Sequence, residues 1–236
     1  MKPLFIGVLV LTLCSFCATA DQEARHLTKA ITRDVAWDYL VYTPRSAASK
    51  KLPLLLYLHG GSLRGDDISR LKTMGLPKRL ETDADFPFVV VSPQLPAGEI
   101  WTDTDALISI IDEVMQSQKI DPTRVYVTGH SMGGRGALYT AFKHPTRFAA
   151  VLALSPVSPI NAWAEGLRGV PVRIVHGDAD DIAPIKDSHD LVKQFETTEG
   201  CDVTYTVLDK RDHFILDLYD RDDLFEWLLS HSRPGV

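Results

Sequence analysis

Residues 129–133 read Gly-His-Ser-Met-Gly, so Ser131 stands in a Gly-x-Ser-x-Gly pattern. An apolar run at 124–128 precedes the pattern, and a helix-like stretch at 135–142 follows it. In this strand–turn–helix context the pattern forces the serine into a sharp, exposed turn, and small neighbours avoid collisions with the adjacent backbone. The pattern therefore predicts that Ser131 is a nucleophile. The alternative is a glycine-rich turn whose serine only caps the following helix.

A serine hydroxyl becomes a strong nucleophile only when a base takes its proton and a carboxylate holds that base in one tautomer. In sites of this kind the acid and then the base follow the serine along the chain. His213 comes just after the last apolar run and is the expected base. Three aspartates after the run at 170–175 compete for the role of the acid: Asp178, Asp180 and Asp181. Three other histidines at strand ends are expected to be structural neighbours of the site: His59, His130 and His176.

The negative charge that develops on a carbonyl oxygen under serine attack needs backbone N–H donors. The expected donors are Met132, at the start of the helix after Ser131, and Gly61, in the His-Gly-Gly-Ser loop at 59–62. Glycines let such a loop approach a substrate closely. A plain glycine turn that ends a strand is the alternative for this loop.

The segments around these residues alternate between apolar runs and amphipathic stretches. The apolar runs predict strands at 37–43, 52–58, 86–91, 124–128, 149–154, 170–175 and 203–208. The amphipathic stretches predict helices at 103–118, 132–143, 185–196 and 222–230. Continuous apolar runs are typical of parallel strands covered on both faces, so we expect one α/β domain with a doubly wound, mostly parallel sheet. Ligands bind such sheets beyond the carboxyl ends of the strands, where the candidate residues lie.

The N-terminus has the three parts of a secretory signal peptide: a positive start, an apolar run at 3–17 and an Ala-Thr-Ala cleavage site at 18–20. We expect cleavage after Ala20, a mature domain of residues 21–236 and a secreted or periplasmic protein. A membrane anchor is the alternative, but the apolar run is shorter than the ~20 residues that span a bilayer.

Composition narrows the class of protein and of partner. The chain has 236 residues, 45% hydrophobic and 24% charged, with a formal net charge of −6. These values are ordinary for a globular protein and exclude a disordered chain. The mild acidity argues against a nucleic-acid partner. No stable membrane insertion is expected after removal of the signal, because no later segment is long and apolar enough.

Together these segments resemble the α/β-hydrolase superfamily over essentially the whole mature chain. The resemblance is closest to small secreted carboxylesterases of the phospholipase/carboxylesterase-like, feruloyl-esterase-like and prolyl-oligopeptidase-like kinds. It is carried by residues 58–67, 86–98, 121–138, 176–184 and 213–229. It implies that the acid is Asp180, the aspartate of the group's His-Gly-x-x-Asp-x-x-Val/Ala-Pro pattern. The chain departs from the group at Gly61-Ser62, where Ala-Gly is frequent, and at Asp212, where glycine is common.

The span between the strand after Ser131 and the strand before the acid is too short for a cap domain, at 15 residues (155–169). We therefore expect an open site that suits a bulky or polymer-linked ester. Gln94 and Trp101 follow another strand and are expected to line the cleft, where the indole could stack on a substrate ring. An anchoring role in its own loop is the alternative for Trp101.

The sequence thus predicts a secreted serine hydrolase that cleaves carboxylic esters through an acyl-enzyme intermediate. No metal or organic cofactor is expected, because the clustered aspartates lack a matching His/Cys ligand set. Two alternatives remain. The first is a serine peptidase of the prolyl-oligopeptidase-like kind, and the second is a catalytically silent hydrolase-fold protein that binds a partner.

Overall fold

The core of the fold is one sheet of seven strands in the described chain, which comprises residues 34–45 and 51–234 of the computed structural model. The strands are Tyr39–Tyr42 (β1), Leu52–Leu58 (β2), Val89–Pro93 (β3), Ile120–His130 (β4), Ala150–Leu154 (β5), Val172–Gly177 (β6) and Val203–Leu208 (β7). Their order is β1-β3-β2-β4-β5-β6-β7. β1 pairs antiparallel with β3, and the other neighbours pair in parallel.

Helices connect the strands and cover the sheet. They are Gly75–Leu80 (α1), Thr104–Ser117 (α2), Met132–Lys143 (α3), Trp163–Gly166 (α4), Ile185–Thr197 (α5) and Asp223–Leu229 (α6). Short 3₁₀ turns lie at Gly61–Leu63, Ile68–Thr73 and Leu216–Asp220. This arrangement confirms the predicted doubly wound α/β fold.

Chain contacts divide the protein after Asp34, and all of these elements lie in the second unit, Val35–Val236. The predicted signal peptide at 1–20 and the predicted start of the mature domain at Asp21 lie outside the described residues. In the part of the chain that the structure describes, no helix combines the length and the apolar character needed to cross a membrane.

The two largest differences from the predicted strand boundaries lie at the starts of β3 and β4. β3 begins at Val89 rather than at residue 86, because Pro87 has no N–H to donate to a neighbouring strand. β4 begins at Ile120 rather than at residue 124, and it pairs with Leu52 of β2 across a register shift. The polar residues at the start of β4 hide this extension from an apolar pattern.

Side chains of β2 alternate between two hydrophobic cores, as a strand requires. Leu54, Leu56 and Leu58 pack with residues of α2, α3 and α5. Leu55 and Tyr57 pack with residues of α1 and α6. All five side chains are buried, and complete burial of each leucine contributes roughly 1.5–3 kcal/mol. The strands are therefore fixed from both faces, which holds the carboxyl ends of the central strands in place.

Two glycines let α3 begin directly against the sheet. A Cβ atom on Gly133 would lie 1.8 Å from the carbonyl oxygen of Leu58, and one on Gly129 would lie 2.4 Å from the carbonyl oxygen of Gly133. Both distances are far below van der Waals contact. Only glycine therefore allows the sharp turn from β4 into α3 at these two positions.

The connection between β5 and β6 is short, as predicted. Every residue of this connection is described, and the one helix in it is α4, which has four residues. No cap domain is inserted here. This connection therefore places no cap over the carboxyl ends of β4, β5 and β6.

Candidate active site

Ser131 occupies the turn between β4 and α3 in a strained conformation, with φ 60° and ψ −122°. A non-glycine residue in this region costs of order 1–3 kcal/mol, which the surrounding contacts must offset. The N–H of Ser131 donates to the carbonyl of Leu154 at 2.9 Å, and the N–H groups of Arg135 and Val157 donate to the carbonyl of Ser131. The hydroxyl makes no helix-capping hydrogen bond. The predicted alternative, a serine that only caps α3, is therefore wrong.

The structure brings together Ser131, His213 and Asp180. The Oγ of Ser131 lies 2.8 Å from Nε2 of His213, and Nδ1 of His213 lies 2.7 Å from Oδ2 of Asp180. A carboxylate only accepts hydrogen bonds, so Nδ1 carries the proton and Nε2 presents its lone pair to the serine hydroxyl. This is the geometry in which imidazole can take the proton of a nucleophilic serine.

Asp180 accepts hydrogen bonds on both carboxylate oxygens. Its Oδ1 accepts from the N–H groups of Ile182 at 2.9 Å and of Ala183 at 2.7 Å. Burial raises the pKa of Asp180, but the hydrogen bonds from Ala183, His213 and Ile182 outweigh burial and hold this pKa below its ordinary value. The carboxylate is therefore ionised and rigidly placed opposite His213.

The other two candidate aspartates do not contact His213. Asp178 accepts a hydrogen bond from the N–H of Lys210 at 2.6 Å and is exposed to solvent, and Asp181 is exposed as well. Asp212, which precedes the base, accepts from the N–H of Phe214 at 3.0 Å in a local turn. The carboxylate of Asp180 is thus the one that meets the imidazole.

Buried histidines surround this arrangement. Nε2 of His130 donates to the carbonyl oxygen of His213 at 2.7 Å, which fixes the backbone of the base. Burial lowers the pKa of His130 to about 4, so the ring is neutral. His176 lies 3.0 Å from Asp180 through its Nε2 atom. Both residues are neighbours of the site, as expected.

Gly61 and Met132 each begin a helical turn beside Ser131. The N–H of the first residue of a helix has no intrahelical acceptor, so both groups can serve a ligand. His59 orients the N–H group of Gly61. The Nδ1–H of His59 donates to the carbonyl of Gly60 at 2.7 Å, and in a trans peptide the N–H of the next residue, Gly61, points the opposite way. Burial lowers the pKa of His59 to about 4 and keeps its ring neutral.

A cavity of about 320 Å³ opens beside Ser131. Its walls are mainly apolar and come from Tyr57, Leu63, Met74, Ile182, Phe214 and Leu216, in addition to the residues named above. Phe214 and Ile182 are 62% and 52% exposed, which is unusual for large apolar side chains. None of these lining residues was predicted from the sequence. Their positions in the sequence could have indicated two of them, since Phe214 directly follows His213 and Ile182 lies two residues after Asp180.

Gln94 and Trp101 do not line this cavity, and their predicted contact with substrate is corrected by the structure. Gln94 is buried, and its Nε2 donates to the carbonyls of Leu63 and Asp67, which secures the loop after Gly61. Trp101 is also buried, and its indole N–H donates to the carbonyl of His59 at 3.0 Å. Both side chains point into the protein and support the loop at 59–62, which the sequence predicts to lie at the substrate.

No group of three or more His, Cys, Asp or Glu side chains is placed to hold a metal ion among residues 34–45 and 51–234. The hydroxyl of Ser131 and the imidazole of His213 line an apolar cavity, and the buried carboxylate of Asp180 lies behind the imidazole.

Comparison with known proteins agrees with the fold. The chain has the α/β-hydrolase fold, as the sequence resemblance predicts. Its structure is similar to that of a thermostable esterase, with a TM-score of 0.69 and 25% identity over 83% of this chain and 59% of that one. A family model described as "Putative esterase" matches residues 78–194, a span that contains Ser131 and Asp180.

Two curated relatives have named activities. A bifunctional acetylxylan esterase/xylanase of Neocallimastix patriciarum is 31% identical over 171 residues, which cover 70% of this chain and 24% of that protein. An Aspergillus terreus protein named "Probable feruloyl esterase C" is 27% identical over 184 residues, which cover 74% of this chain and 66% of that protein. The chain thus spans less than two thirds of the length of each relative.

Proposed function

We propose that this protein is a serine hydrolase that cleaves carboxylic esters through an acyl-enzyme intermediate. The observation that carries the proposal is the hydrogen-bonded series from Ser131 through His213 to Asp180, with distances of 2.8 and 2.7 Å, at the mouth of an apolar cavity. The esterase relatives support the same class of reaction.

In the first half of the reaction, Nε2 of His213 takes the hydroxyl proton of Ser131 while Oγ attacks the ester carbonyl. The N–H groups of Gly61 and Met132 donate to the oxyanion that forms, and each such donor contributes ~10²–10³-fold in rate. Asp180 stabilises the imidazolium through the bond at Nδ1. The imidazolium then gives its proton to the leaving alcohol, and the acyl group stays on Oγ.

In the second half, a water molecule takes the place of the alcohol. His213 removes a proton from that water, and the resulting hydroxide attacks the acyl carbonyl. The oxyanion again lies against the N–H groups of Gly61 and Met132. Collapse releases the carboxylic acid and returns the proton to Oγ of Ser131, which restores the starting state.

The cavity supports a substrate with an apolar group on the acyl or alcohol side. Its volume of about 320 Å³ is at the lower end of small-molecule sites, and exposed Phe214 and Ile182 continue the apolar surface outward. The missing cap leaves room for a substrate that extends beyond the cavity. We therefore propose an ester with an apolar acyl or alcohol group, free or linked to a polymer, as the substrate class.

Export is part of the proposal. The charge and hydropathy pattern of residues 1–20 supports a cleaved signal and a secreted or periplasmic location. N-terminal sequencing of the exported protein should begin at Asp21. A mature protein that retains the apolar run at 3–17 would contradict this part of the proposal.

A fluorophosphonate probe tests the reaction class directly. The wild type should be labelled at Ser131, and the Ser131→Ala variant should not be labelled. Ser158→Ala is the matched control, because Ser158 is an exposed serine that also has a positive φ, 44°. A wild type that resists labelling would favour a catalytically silent binding protein.

A substrate panel separates esterase from peptidase. We expect turnover of p-nitrophenyl and feruloyl esters, with no turnover of peptide anilides, and Phe214→Ala should raise KM for the bulkier esters more than for acetate. Asp180→Asn should lower kcat by ~10⁴-fold, because residue 180 would no longer hold the imidazole of His213 in the tautomer that carries its proton on Nδ1. Asp178→Asn is the control and should keep near wild-type turnover. Hydrolysis of anilides in preference to esters would overturn the proposed substrate class.

A further inference from the structure

His176, at the end of β6, is a fully buried histidine that contacts the carboxylate of Asp180. Its Nε2 atom lies 3.0 Å from Oδ2 of Asp180 and 2.9 Å from the carbonyl oxygen of Ala183. Its Nδ1 atom lies 2.8 Å from Oγ of Ser188, a buried residue of α5. None of the steps proposed above uses this histidine.

The partners of His176 determine its tautomer. A carboxylate and a carbonyl oxygen can only accept, so Nε2 must carry a proton that both oxygens share. Burial lowers the pKa of His176 despite the opposing effects of Ala183 and Asp180, so the ring is neutral. The lone pair on Nδ1 then accepts the hydroxyl proton of Ser188. The hydroxyl thereby holds the ring in the tautomer that donates to Asp180.

One oxygen of Asp180 consequently receives two imidazole N–H groups. Oδ2 accepts from Nδ1 of His213 at 2.7 Å and from Nε2 of His176 at 3.0 Å. A second donor disperses the negative charge of the carboxylate, so the carboxylate attracts a proton on His213 less strongly. It also fixes the rotation of the carboxyl group, because Oδ2 is held from two sides.

We propose that His176 and Ser188 form a positioning pair that orients Asp180 and tempers the basicity of His213. The inference rests on the proposed triad function, since it concerns the base of that reaction. The ionisable groups that act on the pKa of His176 include Asp180 and His213. His130 faces His213 from the end of β4, with ring centroids 4.8 Å apart. Helix α5 contacts His176 through the uncharged side chain of Ser188.

Two substitutions of His176 distinguish the donor from the bulk of the ring. His176→Gln keeps an N–H group at the position of Nε2, whereas His176→Leu fills similar space without a donor. The measurement is the rate of fluorophosphonate labelling of Ser131 from pH 5 to pH 9, whose acidic limb reports protonation of the base. We expect the acidic limb to move upward by roughly 0.5–1 pH unit in His176→Leu and to stay in place in His176→Gln.

Ser188→Ala tests the second member of the pair with a smaller change in packing. Without the hydroxyl, Nδ1 loses the group that fixes the ring on that side, so Nε2 is held less firmly against Asp180 and the acidic limb should move upward by less than in His176→Leu. Thr104→Ala is the matched control, because Thr104 is also buried and its hydroxyl lies 3.0 Å from an imidazole nitrogen, that of His144. Its acidic limb should match that of the wild type.

The outcomes separate this inference from the proposed function. A wild type without labelling at any pH contradicts the proposed function. A labelled wild type whose His176→Leu variant keeps the same acidic limb overturns the inference alone, as does an equal shift in His176→Gln. Where His176→Leu does not fold, an unchanged acidic limb in Ser188→Ala overturns the inference.

Discussion

Acidification should unfold this protein through its buried histidines. His59 and His130 are buried and neutral, and each has its pKa lowered from 6.5 to about 4, mainly by burial. An unfolded chain binds a proton on each ring near pH 6.5, whereas the folded chain does so only near pH 4. Between these values the unfolded state holds more protons, so the free energy of unfolding falls as the pH falls.

The magnitude follows from the two pKa values. A pKa lowered from 6.5 to about 4 corresponds to about 3 kcal/mol for each ring, and the slope approaches about 1.4 kcal/mol per pH unit for each ring. The two rings together therefore remove about 6 kcal/mol between pH 6.5 and pH 4, a large part of ordinary protein stability. Below pH 4 both states bind the protons, and this contribution to the slope disappears. Asp180, whose pKa is lowered, affects stability only at lower pH, as its carboxylate is protonated.

The assay is urea unfolding followed by circular dichroism at several pH values between 7 and 4.5, with the free energy extrapolated to water. His130→Gln keeps a donor for the carbonyl of His213 but cannot be protonated, so its slope should be lower by up to about 1.4 kcal/mol per pH unit. His189→Gln is the control, because His189 is exposed on α5, and it should keep the wild-type slope. A wild-type free energy that changes by less than about 1 kcal/mol between pH 6.5 and pH 4.5 would refute the reasoning.

Two further substitutions test the support of the site. Gly133→Ala should destabilise the fold by about 3 kcal/mol or more, because the new Cβ would meet the carbonyl oxygen of Leu58 at 1.8 Å. A thermal midpoint within about 2 °C of the wild type would contradict this close packing. Trp101→Phe removes the hydrogen bond to His59 and should cost about 1 kcal/mol, measured by urea unfolding, while KM for esters stays within about twofold. A large rise in KM at unchanged stability would instead restore the predicted contact between Trp101 and substrate.

Most of the fold could be predicted because the central strands are buried on both faces. A strand such as β2, whose seven residues all contribute to burial, appears in the sequence as a continuous apolar run. The start of β4 could not be predicted in this way, since residues 121–124 are partly or fully exposed and interrupt the pairing with β2. Elements at the edges of the sheet carry weaker patterns for the same reason.

The sequence predicted the candidate site unevenly. Ser131 and His213 could be chosen because their positions follow from a short pattern and from the order of strands. The choice of Asp180 over Asp178 depended on resemblance, because three neighbouring carboxylates differ only in the direction in which the loop turns them. Gln94 and Trp101 show the limit of this reasoning. A residue just after a strand lies near the site, but only the fold of the next loop decides whether its side chain faces the cavity or the core.

The position of β7 has a consequence for the newly made protein. This strand lies at the edge of the sheet, pairs only with β6 and carries the base in the loop that follows it. During translation Ser131 leaves the ribosome 82 residues before His213. Under the proposed reaction, the nascent chain presents Ser131 before its base is available, and hydrolysis can begin only once β7 has joined the sheet.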